Sequence, residues 1–136
     1  MKKIKIWLIF CILTVLLVGC SIKNEETHRE GKAIDFTVVE NQKIPPKLLE
    51  AIEKNKEREI RMTYREGENL YLVRGYGEQK TGGYSISVAE CTEDEAMSWF
   101  DTRLLGPESQ DGLSKDPSYP YLVIKMEVRE KEVTFL

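Results

Sequence analysis

Histidine is all but missing. The 136 residues hold one, His28, and it lies in a polar stretch, "SIKNEETHREG" at 21–31, with almost no apolar side chain. A general base works only when held in fixed geometry, and a Ser–His–Asp set needs its histidine inside the fold. Neither is available here. No Walker-type phosphate loop and no histidine pair for a metal appears. Cysteine is scarce as well: Cys11, Cys20 and Cys91. Two of the three fall in the first twenty residues, which leaves no disulfide framework and no metal-ligand spacing. Cys91, beside an apolar strand, reads as a small buried hydrophobe. Carboxylates are plentiful, but the consecutive Glu93, Asp94 and Glu95 read as a solvated turn. We expect no catalytic residue, no cofactor and no metal, and a small envelope enzyme is the least supported class. Only a carboxylate pair assembled in three dimensions would revive it.

An excess of positive charge is missing too. Lys and Arg number 20 against 23 Asp and Glu. Nucleic-acid affinity depends on neutralising phosphates with basic residues, so a nucleic-acid partner is not expected. The one basic cluster sits at the N-terminus. "MKKIKIWLIFCILTVLLVGCS" opens with Lys2, Lys3 and Lys5 and continues with an apolar run from Ile6 to Val18 broken only by Thr14. That length fits a signal-peptide core and is short for a bilayer span. The small Gly19 and then Cys20 follow. "LVGC", Leu17 to Cys20, resembles a bacterial lipobox, in which the cysteine thiol receives a diacylglycerol and the chain is cut before it. The alternative is an uncleaved membrane anchor. On the lipobox reading residues 1–19 are a lipoprotein signal peptide, Cys20 is the lipid attachment point, and 20–32 is a flexible tether. Such a tether spans roughly 17 to 20 Å. Residues 1–19 carry three lysines, so the mature chain has a net charge of about −6. A polybasic membrane patch is then not expected, and two acyl chains would supply the anchoring. The expected location is the cell membrane, on its extracytoplasmic face.

The folded domain is expected over 33–136. "AIDFTVVE" alternates Ile34, Phe36 and Val38 against Asp35, Thr37 and Val39, a half-buried strand signal. Pro46 suits the first turn of a helix, Leu48, Leu49 and Ile52 form a short apolar stripe, and Glu50 faces Lys54 at i,i+4. That predicts one short helix from Lys47 to about Arg58. Ile60, Met62 and Tyr64, then "EGEN", then Leu70 and Leu72 read as a β-hairpin. "YPYLVIKMEV" is the clearest strand, and "REKE" then "VTFL" closes the sheet. Residues 96–105 fit either a helix behind a Thr92–Glu95 capping box or a strand behind an acidic turn. No βαβ rhythm and no internal repeat appears. We expect an α+β, mostly-β fold: an antiparallel sheet of about five to seven strands with one short helix.

The most distinctive stretch is "GYGEQKTGGYSISV", with Gly75, Gly77, Gly82 and Gly83 packed just before a strand that opens at Tyr84. Glycine takes positive φ at no steric cost, so turn chemistry alone explains Gly82-Gly83. The other reading is a binding rim. Lys80 and Thr81 offer a charge and a hydroxyl. Tyr84, with Tyr119, Pro120 and Tyr121 of "SYPY", offers rigid amphipathic area of the kind interfaces use. If the strands opening at Tyr84 and Tyr121 are neighbours, the two aromatic loops meet at one sheet edge.

"GEQKTGGYSISV", "DTRLLGPES" and "YPYLVIKMEV", in that order, resemble the C-terminal domain of the protease-complex subunit PrcB family. Gly77, Thr81, Gly82, Gly83 and Tyr84 match its Gly-x-x-x-Thr-Gly-Gly-Tyr turn, and Pro120 and Tyr121 match the Pro-Tyr that opens its late apolar strand. The resemblance covers roughly 60–136. It implies a strand over 96–105 and a non-catalytic lipoprotein associated with a secreted protease. Lys80 to Tyr84 is also similar to a loop of the chagasin-like cysteine-peptidase inhibitors, although the Asn-Pro that opens that motif and the Arg-Pro-Trp loop are absent. A protease inhibitor is therefore the alternative function.

Overall fold

The computed structural model describes residues 31–136. The signal segment 1–19, Cys20, and the tether up to residue 30, His28 included, lie outside the described residues. The elements run β1 (Lys32–Ala33), β2 (Thr37–Val38), a short 3-10 turn at Asn41–Lys43, α1 (Pro46–Asn55), β3 (Glu59–Glu66), β4 (Asn69–Tyr76), β5 (Ser85–Glu93), β6 (Ser98–Leu105), β7 (Tyr121–Glu127) and β8 (Val133–Phe135). The mostly-β expectation with one helix holds. The strands divide between two sheets of four, ordered β1-β5-β6-β8 and β2-β7-β4-β3. All pairings are antiparallel except β6 with β8.

Three layers follow from where the apolar side chains go. Ile44, Leu48 and Ile52 pack with Ile60, Tyr71, Val73 and Val123, which seats α1 on one face of the β2-β7-β4-β3 sheet. Leu72, Ile124 and Met126 point through the opposite face and meet Ile34, Cys91 and Phe100 of the other sheet. The central sheet is therefore covered on both faces. That is why Tyr71 through Gly75 are buried without a break, where a half-exposed strand would alternate. On β3, at the sheet's edge, burial does alternate, with Ile60, Met62 and Tyr64 on the helix side. The β3–β4 hairpin has continuous register from Glu59↔Tyr76 to Glu66↔Asn69, and Gly67 supplies its turn at φ 60°.

The helix begins where Pro46 suggests and ends at Asn55, three residues before the expected Arg58. Asn55 Nδ2 bonds the Ala51 carbonyl at 2.8 Å, and Arg58 N bonds the Asn55 carbonyl at 3.0 Å, which turns the chain into β3. Lys54 pairs with Glu50 at 2.6 Å as expected.

Two expectations need correction, and a third, open between helix and strand, is decided. "AIDFTVVE" is two short strands in different sheets: Ile34 N reaches Cys91 O at 3.0 Å, and Val39 N reaches Val123 O at 2.9 Å. Crossing between sheets breaks the single face that alternation assumes. Ile34 is buried, yet Phe36 and Val38 are 38% and 54% exposed. Residues 133–135 do not fold back on β7. They cross to the other sheet and run parallel to β6, with Phe100 opposite Phe135. Residues 96–105 carry β6, the strand that the PrcB resemblance implies, and no helix.

The acidic triplet is not merely solvated. Asp94 Oδ1 accepts the Ala96 and Met97 N–H groups, both at 2.8 Å, and Oδ2 accepts Trp99 Nε1 at 3.0 Å. This closes the β5–β6 turn. The Met97 and Trp99 bonds hold the Asp94 carboxyl below the usual carboxylate range. A depressed folded-state pKa gives stability that is complete above the unfolded value and is lost as pH falls through the folded one. Wild-type chain should therefore lose stability on acidification more steeply than Asp94→Asn, as read by urea midpoints between pH 7 and pH 2.

Candidate functional site

The strands that open at Tyr84 and Tyr121 are not neighbours, since β5 and β7 belong to different sheets. The two loops meet all the same. Gln79 and Ser118 form an isolated antiparallel bridge, Gln79 N to Ser118 O at 2.8 Å and Ser118 N to Gln79 O at 3.0 Å. Ser118 Oγ donates to the Thr81 carbonyl at 2.6 Å, and Gly82 N donates to Ser114 O at 3.3 Å. At the base, Tyr76 N donates to Pro120 O at 3.1 Å, and Gln79 Nε2 donates to Tyr76 O at 3.2 Å. Backbone and side-chain bonds together make one body of residues 77–84 and 114–120.

The glycines have separate duties. Gly77, buried at φ 73°, lies beside the Glu57 carbonyl, to which Glu78 N donates at 3.3 Å. Gly83 sits at φ 84° with Leu113 and Pro107 so near that a Cβ would lie 2.7 Å and 2.9 Å from their carbons. Gly82 is outside the positive-φ region, and its nearest neighbour would be Ser114 Cβ at 3.8 Å. Of the two adjacent glycines, only Gly83 is demanded by the backbone.

The aromatic residues differ too. Tyr121 is partly buried against the α1 cluster, and burial raises its phenol pKa. Tyr119 lies under Lys56 Nζ, 5.4 Å from its ring centroid, while Lys56 is paired with Glu53 at 2.6 Å. Tyr84 is half-buried beside Gly106. Below them Tyr76 Oη meets Thr102 Oγ1 at 2.6 Å and donates to Thr102 O at 2.9 Å, which ties β4 of one sheet to β6 of the other. The Arg74 guanidinium stacks 4.1 Å from the Tyr76 ring centroid. Lys80 is exposed at the tip, with Thr81 and Gly82 half-exposed beside it.

Sequence reasoning missed the contributions of α1 and of the 106–117 segment. Lys56 is far from Tyr119 along the chain, and no local pattern announces their stacking. Leu113, Ser114 and Pro107 fall in a stretch that reads only as a polar, breaker-rich loop.

Elsewhere, an open depression of about 780 Å³ lies among Glu93, Glu95, Arg129 and Lys131. Glu93 there is already engaged, paired with Arg129 at 3.1 Å and Lys131 at 3.8 Å. Cys91 is buried, and burial pushes its thiol up to about 11. Because the thiolate is the reactive form, alkylation of Cys91 by iodoacetamide should be roughly a hundredfold slower in the native chain than in urea, as followed by peptide mass spectrometry. Among the described residues no helix is long and apolar enough to cross a membrane.

Residues 70–127 match the family model described as PrcB C-terminal. The likeness to that family covers this segment. The PrcB match starts at the second residue of β4 and ends with the last of β7, so it contains both loops and the bridge between them. It is shorter than the resemblance over roughly 60–136: β3 precedes it and β8 follows. No curated protein and no solved structure gives a match.

Proposed function

We propose that this chain is a non-catalytic binding or accessory module, lipid-anchored through Cys20 on the extracytoplasmic face of the cell membrane. Its PrcB loops would contact a protein partner, a secreted protease being the class that the family name suggests. The observation that carries this reading is the bonded body of 77–84 and 114–120. A surface fixed by the Gln79–Ser118 bridge loses little conformational freedom when a partner binds. It presents a cation at Lys80, a hydroxyl at Thr81 and the rings of Tyr84 and Tyr119, the amphipathic groups that interfaces favour. The tether would let this rim reach a neighbour at the same membrane.

The test is affinity capture from envelope extract with wild-type chain and with Lys80→Ala/Gly82→Arg. Gly82 has room for a side chain, so the variant should fold. Loss of a specific partner by at least tenfold is expected. Equal recovery by the folded variant would overturn the rim assignment. Titration against the captured protease then separates the functions: an accessory module leaves the protease active or longer-lived, and a stoichiometric loss of activity identifies an inhibitor. Labelled palmitate should be incorporated into wild-type chain and not into Cys20→Ser, and a wild-type chain that takes up no label would overturn the lipid anchor.

A further inference from the structure

β3 is the outermost strand of the central sheet, and no strand among the described residues pairs with its far edge over its eight residues. Which backbone groups it presents follows from the pairing beside it. Val128 N donates to Glu68 O at 2.9 Å and Tyr76 N to Pro120 O at 3.1 Å, so even-numbered positions of β4 direct their backbone bonds to β7. The odd-numbered positions serve β3, where they meet Ile60, Met62, Tyr64 and Glu66. In an antiparallel pair these functions alternate strictly along the strand. The N–H and C=O groups of Glu59, Arg61, Thr63 and Arg65 therefore face outward.

A long, open edge is a template for another strand, and what this edge fits is set by its charges. We propose that it pairs with the same edge of a second copy of this chain, antiparallel about a two-fold axis through Met62. In that register Glu59 opposes Arg65 of the other copy and Arg61 opposes Thr63, so every outward backbone group finds a partner. Arg58 opposes Glu66. On the helix-side face, Met62 meets its own copy and the half-buried Tyr64 meets Ile60. The parity is correct as well: the outward residues oppose one another, and Met62 occupies the close, non-hydrogen-bonded position. Neighbouring registers that keep this parity fail on charge. An axis through Thr63 sets Arg61 against Arg65 twice, and an axis through Arg61 sets it against itself. Like charges directly opposed destabilise a sheet, and opposite charges stabilise it. The interface is isologous, as a two-fold dimer requires, and the two central sheets become one continuous sheet.

The exposed side chains of Thr63 and Arg65 make this edge testable without disturbing the core. Arg65 and Thr63 are exposed, and the Thr63 N–H faces outward, the one setting in which proline is tolerated on an edge strand. Full-length chain in mild detergent, examined by sedimentation equilibrium, should dimerise at about micromolar concentration. Arg65→Glu sets two carboxylate pairs in opposition and should weaken the dimer roughly thirtyfold. Thr63→Pro should yield monomer with an unchanged circular dichroism spectrum. Met62→Cys should oxidise to a covalent dimer whose linkage mass spectrometry locates at position 62 of both copies. A folded wild-type chain that stays monomeric at tens of micromolar overturns the proposal. So does a dimer insensitive to both Arg65→Glu and Thr63→Pro, or an edge that binds an acidic extended peptide while the chain remains monomeric.

Discussion

Phe100→Ala should lower the unfolding free energy by about 3–5 kcal/mol and the melting temperature by about 15 °C or more. Phe100, the third residue of β6, is 1% exposed and packs among Ile34, Leu72, Cys91, Ile124 and Met126. Its ring meets Phe135 edge-on, with centroids 5.6 Å apart at 84°. This side chain therefore touches both sheets and the returning strand β8. Alanine removes the ring and leaves a cavity bounded by strands of two separate sheets, which cannot close on it without moving apart from their own partners. Phe36→Ala is the control. That ring is 38% exposed, and its loss should cost under about 1 kcal/mol. Urea unfolding of the two variants side by side decides the matter. A Phe100→Ala cost below about 1 kcal/mol would mean that the two sheets do not depend on this cluster.

The contrast between the two phenylalanines shows what local sequence can carry. Phe36 sits in an alternating apolar run and Phe100 in a stretch that fits helix or strand, and no local pattern tells which ring is buried. The difference is topological: Phe36 lies in the crossing from one sheet to the other, and Phe100 sits between both. The β3–β4 hairpin and β7 were legible because alternation and a glycine turn are local properties. So was the start of α1, since Pro46 and the Leu48–Ile52 spacing act within one turn. The partition into two sheets was not, because it depends on pairings such as Leu72↔Ile124 that join distant segments. Leu70 to Val73 is continuously apolar, the mark of a strand covered on both faces. At the candidate site the two loops meet although β5 and β7 are not neighbours. They are joined by Gln79 and Ser118, polar residues that no hydrophobic pattern selects.

Gly83→Ala should cost about 2–4 kcal/mol, whereas Gly82→Ala should fall within about 0.5 kcal/mol of wild type. The two glycines look equivalent in sequence. At Gly83 two penalties add. The backbone is held at φ 84°, where an L side chain is strained, and the new carbon meets Leu113 Cδ2 at 2.7 Å and Pro107 Cβ at 2.9 Å. The leucine tip can swing aside, but the proline ring is part of the chain that leads out of β6 and cannot. Relief would have to come from shifting the 106–117 segment, which carries Ser114, the acceptor for Gly82 N. Strain at Gly83 thus spreads into the body that holds Lys80 and Thr81. Thermal unfolding measures the cost, and partner capture measures the consequence. Gly83→Ala should lose stability and partner together, while Gly82→Arg keeps its melting temperature and loses the partner alone. If Gly83→Ala proved as stable as wild type, the loop would not need its glycine for shape, and the rigidity on which the binding rim rests would be gone.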